Sequence, residues 1–259
     1  MGRAERVPRT AGFAILQAIA QRVDPQVTAD VSDIDMARVV VDTLPEGATS
    51  TALSELLRVI DTDPPSPAGP ALMQYGKTLQ DEGAYELAAE VYQLTAELGR
   101  REQALKLAPA ALVRVGSCMR SLGRHREAIK AYKAASWVAQ EIGDRVEELM
   151  ARTGLAKVAM AEDRYPSART QLDRVINDAR EEDLRYPLAL ALHDRGTIAN
   201  HEGDLENALL DLSESLRVQG DRAEQIRVLG DVEQAEFAQG HADVAEYADL
   251  FGAVSLYSK

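Results

Sequence analysis

Two stretches forty residues apart, DEGAYELAAEVY (Asp81–Tyr92) and SLGRHREAIKAY (Ser121–Tyr132), share a glycine, an alanine five places on and a tyrosine nine places on. The intervening residues hardly match. The same spacing returns at the same offset as Asp163, Ala168 and Leu172, and again as Gly203, Ala208 and Leu212. A weaker copy, Gly240 and Ala245, follows after thirty-seven residues. Seven residues ahead of the four strong turns stand Gly76, Gly116, Ala156 and Gly196; the weak copy has Glu233 there. Constant spacing with little shared identity is the signature of one supersecondary unit used repeatedly. Small residues let two antiparallel helices cross closely, and the larger Tyr or Leu fills the space beside the crossing. The turns QDEGAY, RSLGRH and NHEGDL place glycine where a left-handed helix end favours it, and AEDRYP does without.

Proline, which helix interiors exclude, gives an independent check. Pro70, Pro109 and Pro187 precede or open first helices of the repeat, and Pro166 opens a second helix. Pro64, Pro65 and Pro67 lie in DTDPPSPAGP, which reads as a short stiff connector over 61–70. Ahead of it, residues 1–60 show no repeat. Three helices are expected there, over 10–24 (with Phe13, Leu16, Ala20 and Val23 at helical spacing), 33–43 and 50–60. Such a segment can cap the end of a stacked array. The opening run, arginines followed by an apolar stretch broken by Gln17, reads as an amphipathic helix, with a secretory leader as the competing reading.

The repeat pattern resembles the tetratricopeptide (TPR) family, most clearly in ALMQYGKTLQDEGAYELAAEVYQLTAEL and ALVRVGSCMRSLGRHREAIKAYKAASWVA. The resemblance spans roughly residues 70 to 250, in a variety whose period is forty residues and not the family's shortest, about 34. It implies an all-α fold, a right-handed solenoid of antiparallel helix pairs over 71–259, with four clear repeats and a weak fifth after the N-terminal helical segment. It also implies a non-catalytic scaffold that holds a protein or peptide in a concave groove lined by first helices. Repeat position nominates Lys77, Gln80, Ser117, Arg120, Lys157, His193, Thr197 and Asn200 for that lining, together with Met73, Val113, Thr153 and Met160. The positions where some family members clamp a terminal carboxylate are Met73, Lys77, Arg114, Met150 and Gly154 here, so that activity does not carry over. The competing class is a regulatory or sensor region of a bacterial-type regulator that binds a peptide or small molecule. A self-associating adaptor also stays open.

Composition fits this reading. Of 259 residues, 46% are apolar and 5% aromatic, with Ala, Leu, Glu and Arg prominent, a mixture that favours helix. The formal charge of −13 disfavours nucleic acid and anionic membrane over most of the surface. A single cysteine, Cys118, allows neither an intrachain disulfide nor a thiolate zinc cluster, and a reduced, cytoplasmic setting is expected. Of the four histidines, His125, His201 and His241 fall at turns and none is paired at metal-ligand spacing with another, so no metal and no cofactor is expected. No nucleophile elbow, phosphate loop or dinucleotide glycine fingerprint is present, and the chain reads as a non-enzyme.

Charge is unevenly spread. Residues 100–133 carry nine basic side chains against Glu102 and Glu127, whereas 201–259 carry four basic and thirteen acidic. Arg124, Arg126, Lys130 and Lys133 form the centre of the basic patch. Plain solvated surface is one reading; the other is a docking surface for an acidic protein, or head-to-tail association through the array ends. Arg195 stands where the other copies hold Tyr75, Val115 and Leu155. A charge facing a core costs several kcal/mol unless paired, so its head is expected to reach solvent or an acid such as Asp204, the alternative being a ligand.

Overall fold

In the repeat region a three-residue turn joins the two antiparallel helices of each pair. The computed structural model describes residues 3–23, 26–62, 68–101 and 105–218. Among them are eleven helices and no strand: α1 (Arg3–Val23), α2 (Val31–Thr43), α3 (Ala48–Asp61), α4 (Gly69–Asp81), α5 (Tyr85–Arg101), α6 (Leu107–Ser121), α7 (His125–Ile142), α8 (Arg145–Ala161), α9 (Tyr165–Glu181), α10 (Arg185–His201) and α11 (Leu205–Val218). The fold is an all-α solenoid of helix pairs. The chain divides into two compact units, Met1–Val158 and Ala159–Lys259. The weak fifth copy and His241 lie outside the described residues.

The turns show why the period is so regular. Gly83, Gly123 and Gly203 have φ of +76°, +71° and +78°, and Asp163 takes the same left-handed conformation at +56°. At each, the residue after the turn donates its N–H to a carbonyl five residues back: Ala84 to Leu79, Arg124 to Met119, Arg164 to Ala159 and Asp204 to Ala199, at 2.8 to 2.9 Å. This six-to-one bond closes the helix end and satisfies a carbonyl that would otherwise lack a partner. The turns between pairs use the same device, with Gly143 at +70° and Asp183 at +53°. Left-handed residues therefore recur every twenty positions from Gly123 to Gly203, and the forty-residue period is two half-periods of like construction. Aspartate pays a steric penalty there that glycine does not. Replacing Asp183 by Gly is expected to stabilise the second unit by about 0.5–1 kcal/mol, read as a higher urea midpoint, while Gly143→Ala should lower the midpoint of the first unit.

In the first unit the crossings explain the shared spacing. A Cβ on Gly76 would stand 2.6 Å from the Tyr92 ring, and one on Gly116 would stand 2.7 Å from the Tyr132 ring. Gly154 on α8 abuts the same Tyr132 ring, so this side chain lies between glycines of α6 and α8 and ties one helix pair to the next. In the second unit Leu212 takes the corresponding place over Gly196, at 2.9 Å. Cys118 is fully buried among Leu79, Tyr92 and their neighbours, and that burial pushes its thiol up to about 11. It is a packing residue, as its place at a crossing implies.

The N-terminal helices start slightly ahead of expectation and pack on the first pair, with α1 against α2, α3 and α5. The Tyr75 hydroxyl lies against Gly12, where a side chain has no room. One part of the expected α1 pattern needs correcting. Its buried face is Ala11, Ala14, Ile15, Leu16 and Ile19, while Phe13 is 57% exposed. Phe13 lies two residues from Ile15, nearly half a turn round the helix. With Met36, Ala37 and Val40 it lines an apolar groove of about 470 Å³ between α1 and α2.

Candidate functional site

Within the first unit, the first helices of each pair present a polar surface. Lys77 on α4 is exposed and bridges to Asp81 at 2.9 Å, one helical turn on. Gln80 is half-buried, and its side-chain oxygen accepts from the Tyr92 hydroxyl at 3.3 Å. Ser117 and Arg120 on α6 and Lys157 on α8 are half-buried. Met73 and Val113 also turn toward the core, and Thr153 is buried with its hydroxyl donating to the Leu149 carbonyl.

Sequence reasoning named Arg114 only as an unmatched clamp position and as one of the basic residues of 100–133. Arg114 on α6 is exposed and has no salt-bridge partner among the described residues. Its charge acts on side chains of two other helices, Tyr92 of α5 and Glu147 of α8. Burial pushes the Tyr92 phenol up to about 12, and Arg114 opposes that rise. Burial, helped by the Asp144 carboxylate, also raises Glu147 at the start of α8 above the ordinary carboxylate range, and Arg114 again pulls the other way. Gln80 and Tyr92 thus join α4 to α5 by a hydrogen bond, and the Arg114 charge on α6 acts on Tyr92 and on Glu147 of α8. The signal for Arg114 was the repeat register: position 73 in the first copy and its equivalents face inward, so the open position is one residue later, a rotation of about 100°. Gln74 and Arg114 occupy that place and are exposed.

The same register corrects His193 in the second unit. It is buried, at 5% exposed, with Nδ1 3.6 Å from an oxygen of the buried Asp194. It does not offer its ring to a groove ligand. Thr197 is exposed, donating its hydroxyl to the His193 carbonyl at 2.9 Å, and Asn200 is half-buried. The candidate residues of α10 belong to the second compact unit and those of α4, α6 and α8 up to Val158 to the first.

Arg195 is held, but not by Asp204. Its Nε and Nη2 donate to the two oxygens of Asp211 on α11 at 2.7 and 2.6 Å, and Nη1 donates to Asp173 on α9 at 2.7 Å. The two carboxylates raise the guanidinium further above its ordinary range, Asp211 contributing most. Asp204 instead caps α11, accepting from the Asn207 side chain at 2.7 Å. The ligand-facing alternative for Arg195 is thereby replaced by a clasp across three helices. Further cross-helix ties in this unit are Arg180 to Glu214 at 2.6 Å, Arg169 to Glu202, and the His201 ring stacked on Tyr165 at 4.4 Å.

Arg124, just before α7, and Arg126, Lys130 and Lys133 on it are all exposed. None of the four meets a carboxylate among the described residues. No three His, Cys, Asp or Glu side chains of the described residues gather as metal ligands would, and no described helix is long and apolar enough to cross a membrane.

No protein-family model and no curated protein matches the chain. Solved structures do. BtubC (BKLC) from P. vanneervenii aligns with a TM-score of 0.57 at 15% identity, over 100% of this chain and 95% of that one. The Rap conjugation gene regulator of the plasmid pLS20, in complex with the Phr* peptide, aligns at 0.51 and 13% identity, over 94% of this chain and 76% of that one. A putative kinesin light chain of Podosopora anserina with nearly identical TPR-like repeats aligns at 0.49 and 13%, over 72% and 93%. At these identities the first two likenesses show a shared fold and nothing finer: this chain is an all-α solenoid of helix pairs.

Proposed function

We propose that the chain is a non-catalytic scaffold whose first-helix surface binds a protein or peptide segment carrying acidic groups. The observation that carries this reading is Arg114, an exposed cation with no ion-pair partner among the described residues whose charge acts on Tyr92 and Glu147, with Lys77, Arg120 and Lys157 on the same set of helices. An exposed guanidinium with no ion-pair partner is a ready anion-binding position, since the ligand carboxylate replaces water and not another side chain. The solved Rap regulator holds a peptide on a fold of this kind, which agrees with the reading without identifying the ligand.

Peptides selected from a random displayed library against the whole chain supply the probe. The selected peptides should be enriched in Asp and Glu, and Arg114→Glu should weaken their binding at least about tenfold, as charge reversal at a desolvated pair does. Raising salt from 50 to 500 mM should weaken it as well. Failure to enrich any sequence, or binding unmoved by Arg114→Glu, overturns the proposal. The sensor reading predicts in addition that a bound peptide alters the spacing of the two compact units, which paired spin labels on α4 and α11 would measure.

A further inference from the structure

The exposed side of α7 carries a stripe. Arg126, Lys130, Lys133 and Trp137 follow one another at intervals of four, three and four residues, which places them within about 60° of one another round the helix. The buried side chains of α7, Ala128, Ala131, Tyr132, Ala135 and Ala139, lie opposite. Trp137 is the chain's single tryptophan and is 63% exposed, a large apolar surface to leave in water.

One repeat earlier, the same four positions of α5 read Glu86, Glu90, Gln93 and Glu97. Glu86 and Glu90 are exposed and meet no cation among the described residues; Glu97 pairs with Arg100 at 2.5 Å. An acidic stripe and a basic stripe thus occupy equivalent positions on consecutive second helices of the same unit. Both helices pack against α6, each antiparallel to it, so they run in the same direction. Repeat equivalence turns both stripes away from the core on one side.

We propose that this face binds a second copy of the chain, α7 of each copy lying on α5 of the other in an isologous dimer. A twofold axis running along the helices between α5 and α7 brings this about. It lays the partner's α5 parallel to α7 with the registers matched, setting Arg126 against Glu86, Lys130 against Glu90 and Lys133 against Gln93. Trp137 then meets the Glu97–Arg100 pair, where the guanidinium can lie on the indole face. The reciprocal contacts follow from the symmetry. Stacking α7 on α7 would instead oppose like charges. Two helices about 25 Å long and about 10 Å across offer roughly 500 Å² per copy, about 1,000 Å² in all, the low end for a specific interface. The dimer is therefore weak, with a dissociation constant on the order of tens of micromolar, and sensitive to salt. It uses the side of the unit away from the groove residues, so it goes beyond peptide binding and stands or falls apart from it.

Sedimentation velocity on the full chain, from about 1 to 200 µM in 50 mM salt, tests the proposal. The chain should pass from monomer to dimer, with Trp137 emission moving to shorter wavelength as the indole leaves water. Lys130→Glu and Glu90→Lys should each raise the dissociation constant at least about tenfold. An equimolar mixture of the two should dimerise again, because each α7–α5 contact then opposes unlike charges. Circular dichroism confirms that these exposed substitutions leave the helices formed. The wild-type chain alone gives a second arm, since 500 mM salt should drive it to monomer. A wild-type monomer throughout, a dimer indifferent to salt, or variants that fail to complement each other overturns the proposal.

Discussion

Tyr132→Ala is expected to destabilise the first unit by about 3–5 kcal/mol. The ring is 2% exposed and lies between Gly116 and Gly154, so its removal opens a cavity that touches α6, α7 and α8 together. Neither glycine can extend a side chain to fill the space, and the backbones on both sides are fixed by their own helices. Urea unfolding followed at Trp137, which belongs to the first unit, should show a lower midpoint than circular dichroism, which sees both units. Coincident transitions at the wild-type midpoint would contradict the packing role. The converse substitution makes the same point. Gly154→Ala forces a Cβ into the ring and should cost about 1–3 kcal/mol, and most of that cost should vanish in a Tyr132→Leu background, because the obstructed ring is gone.

Arg195→Met should destabilise the second unit by about 2–4 kcal/mol. Breaking a buried ion pair by removing one partner costs about 3–5 kcal/mol, and the figure is reduced here because Asp173 is 46% exposed and can hydrate. Asp211 cannot, since only 11% of its side chain reaches solvent, and the loss of both guanidinium bonds leaves a carboxylate in an apolar setting. Circular dichroism should then develop an early transition that Trp137 fluorescence does not share. The pair Arg195→Met with Asp211→Leu should recover most of the loss, since an apolar contact of similar volume replaces the clasp without stranding a charge. If the double substitution is as damaging as the single one, the clasp is contributing something other than charge compensation.

The two units are thus held by different means. The first relies on tyrosine rings seated on glycines, a contact that any repeat with the same spacing reproduces. The second seats Leu212 on Gly196 instead, holds Arg195 where the other copies are apolar, and adds Arg180–Glu214 and Tyr165–His201 between helices. Exposed pairs of this sort contribute little apiece, about 0–1 kcal/mol. They do select partners by charge, and so fix which helices lie together.

Much of this was legible in the residues alone, because it depends on local spacing. A left-handed turn, a small residue seven places before it and a tyrosine nine places after it are all set within one pair of helices. The repeat, the helix class and the ends of most helices follow from those distances and the proline positions. What could not be read is whatever depends on a second helix meeting the first at a particular angle. Arg195 finds its acids sixteen and twenty-two residues away, on helices reached only through the fold, while the nearer Asp204 is occupied in capping its own helix. His193 was expected in the groove lining and is buried, while Arg114, not expected there, is exposed, because about 100° of rotation per residue decides which side of a helix a position faces. The sequence by itself determined the repeat and the chemistry each position carries. Only the tertiary structure decided which of those groups are paired, which are buried and which, like Arg114 and the stripe ending at Trp137, are exposed to solvent.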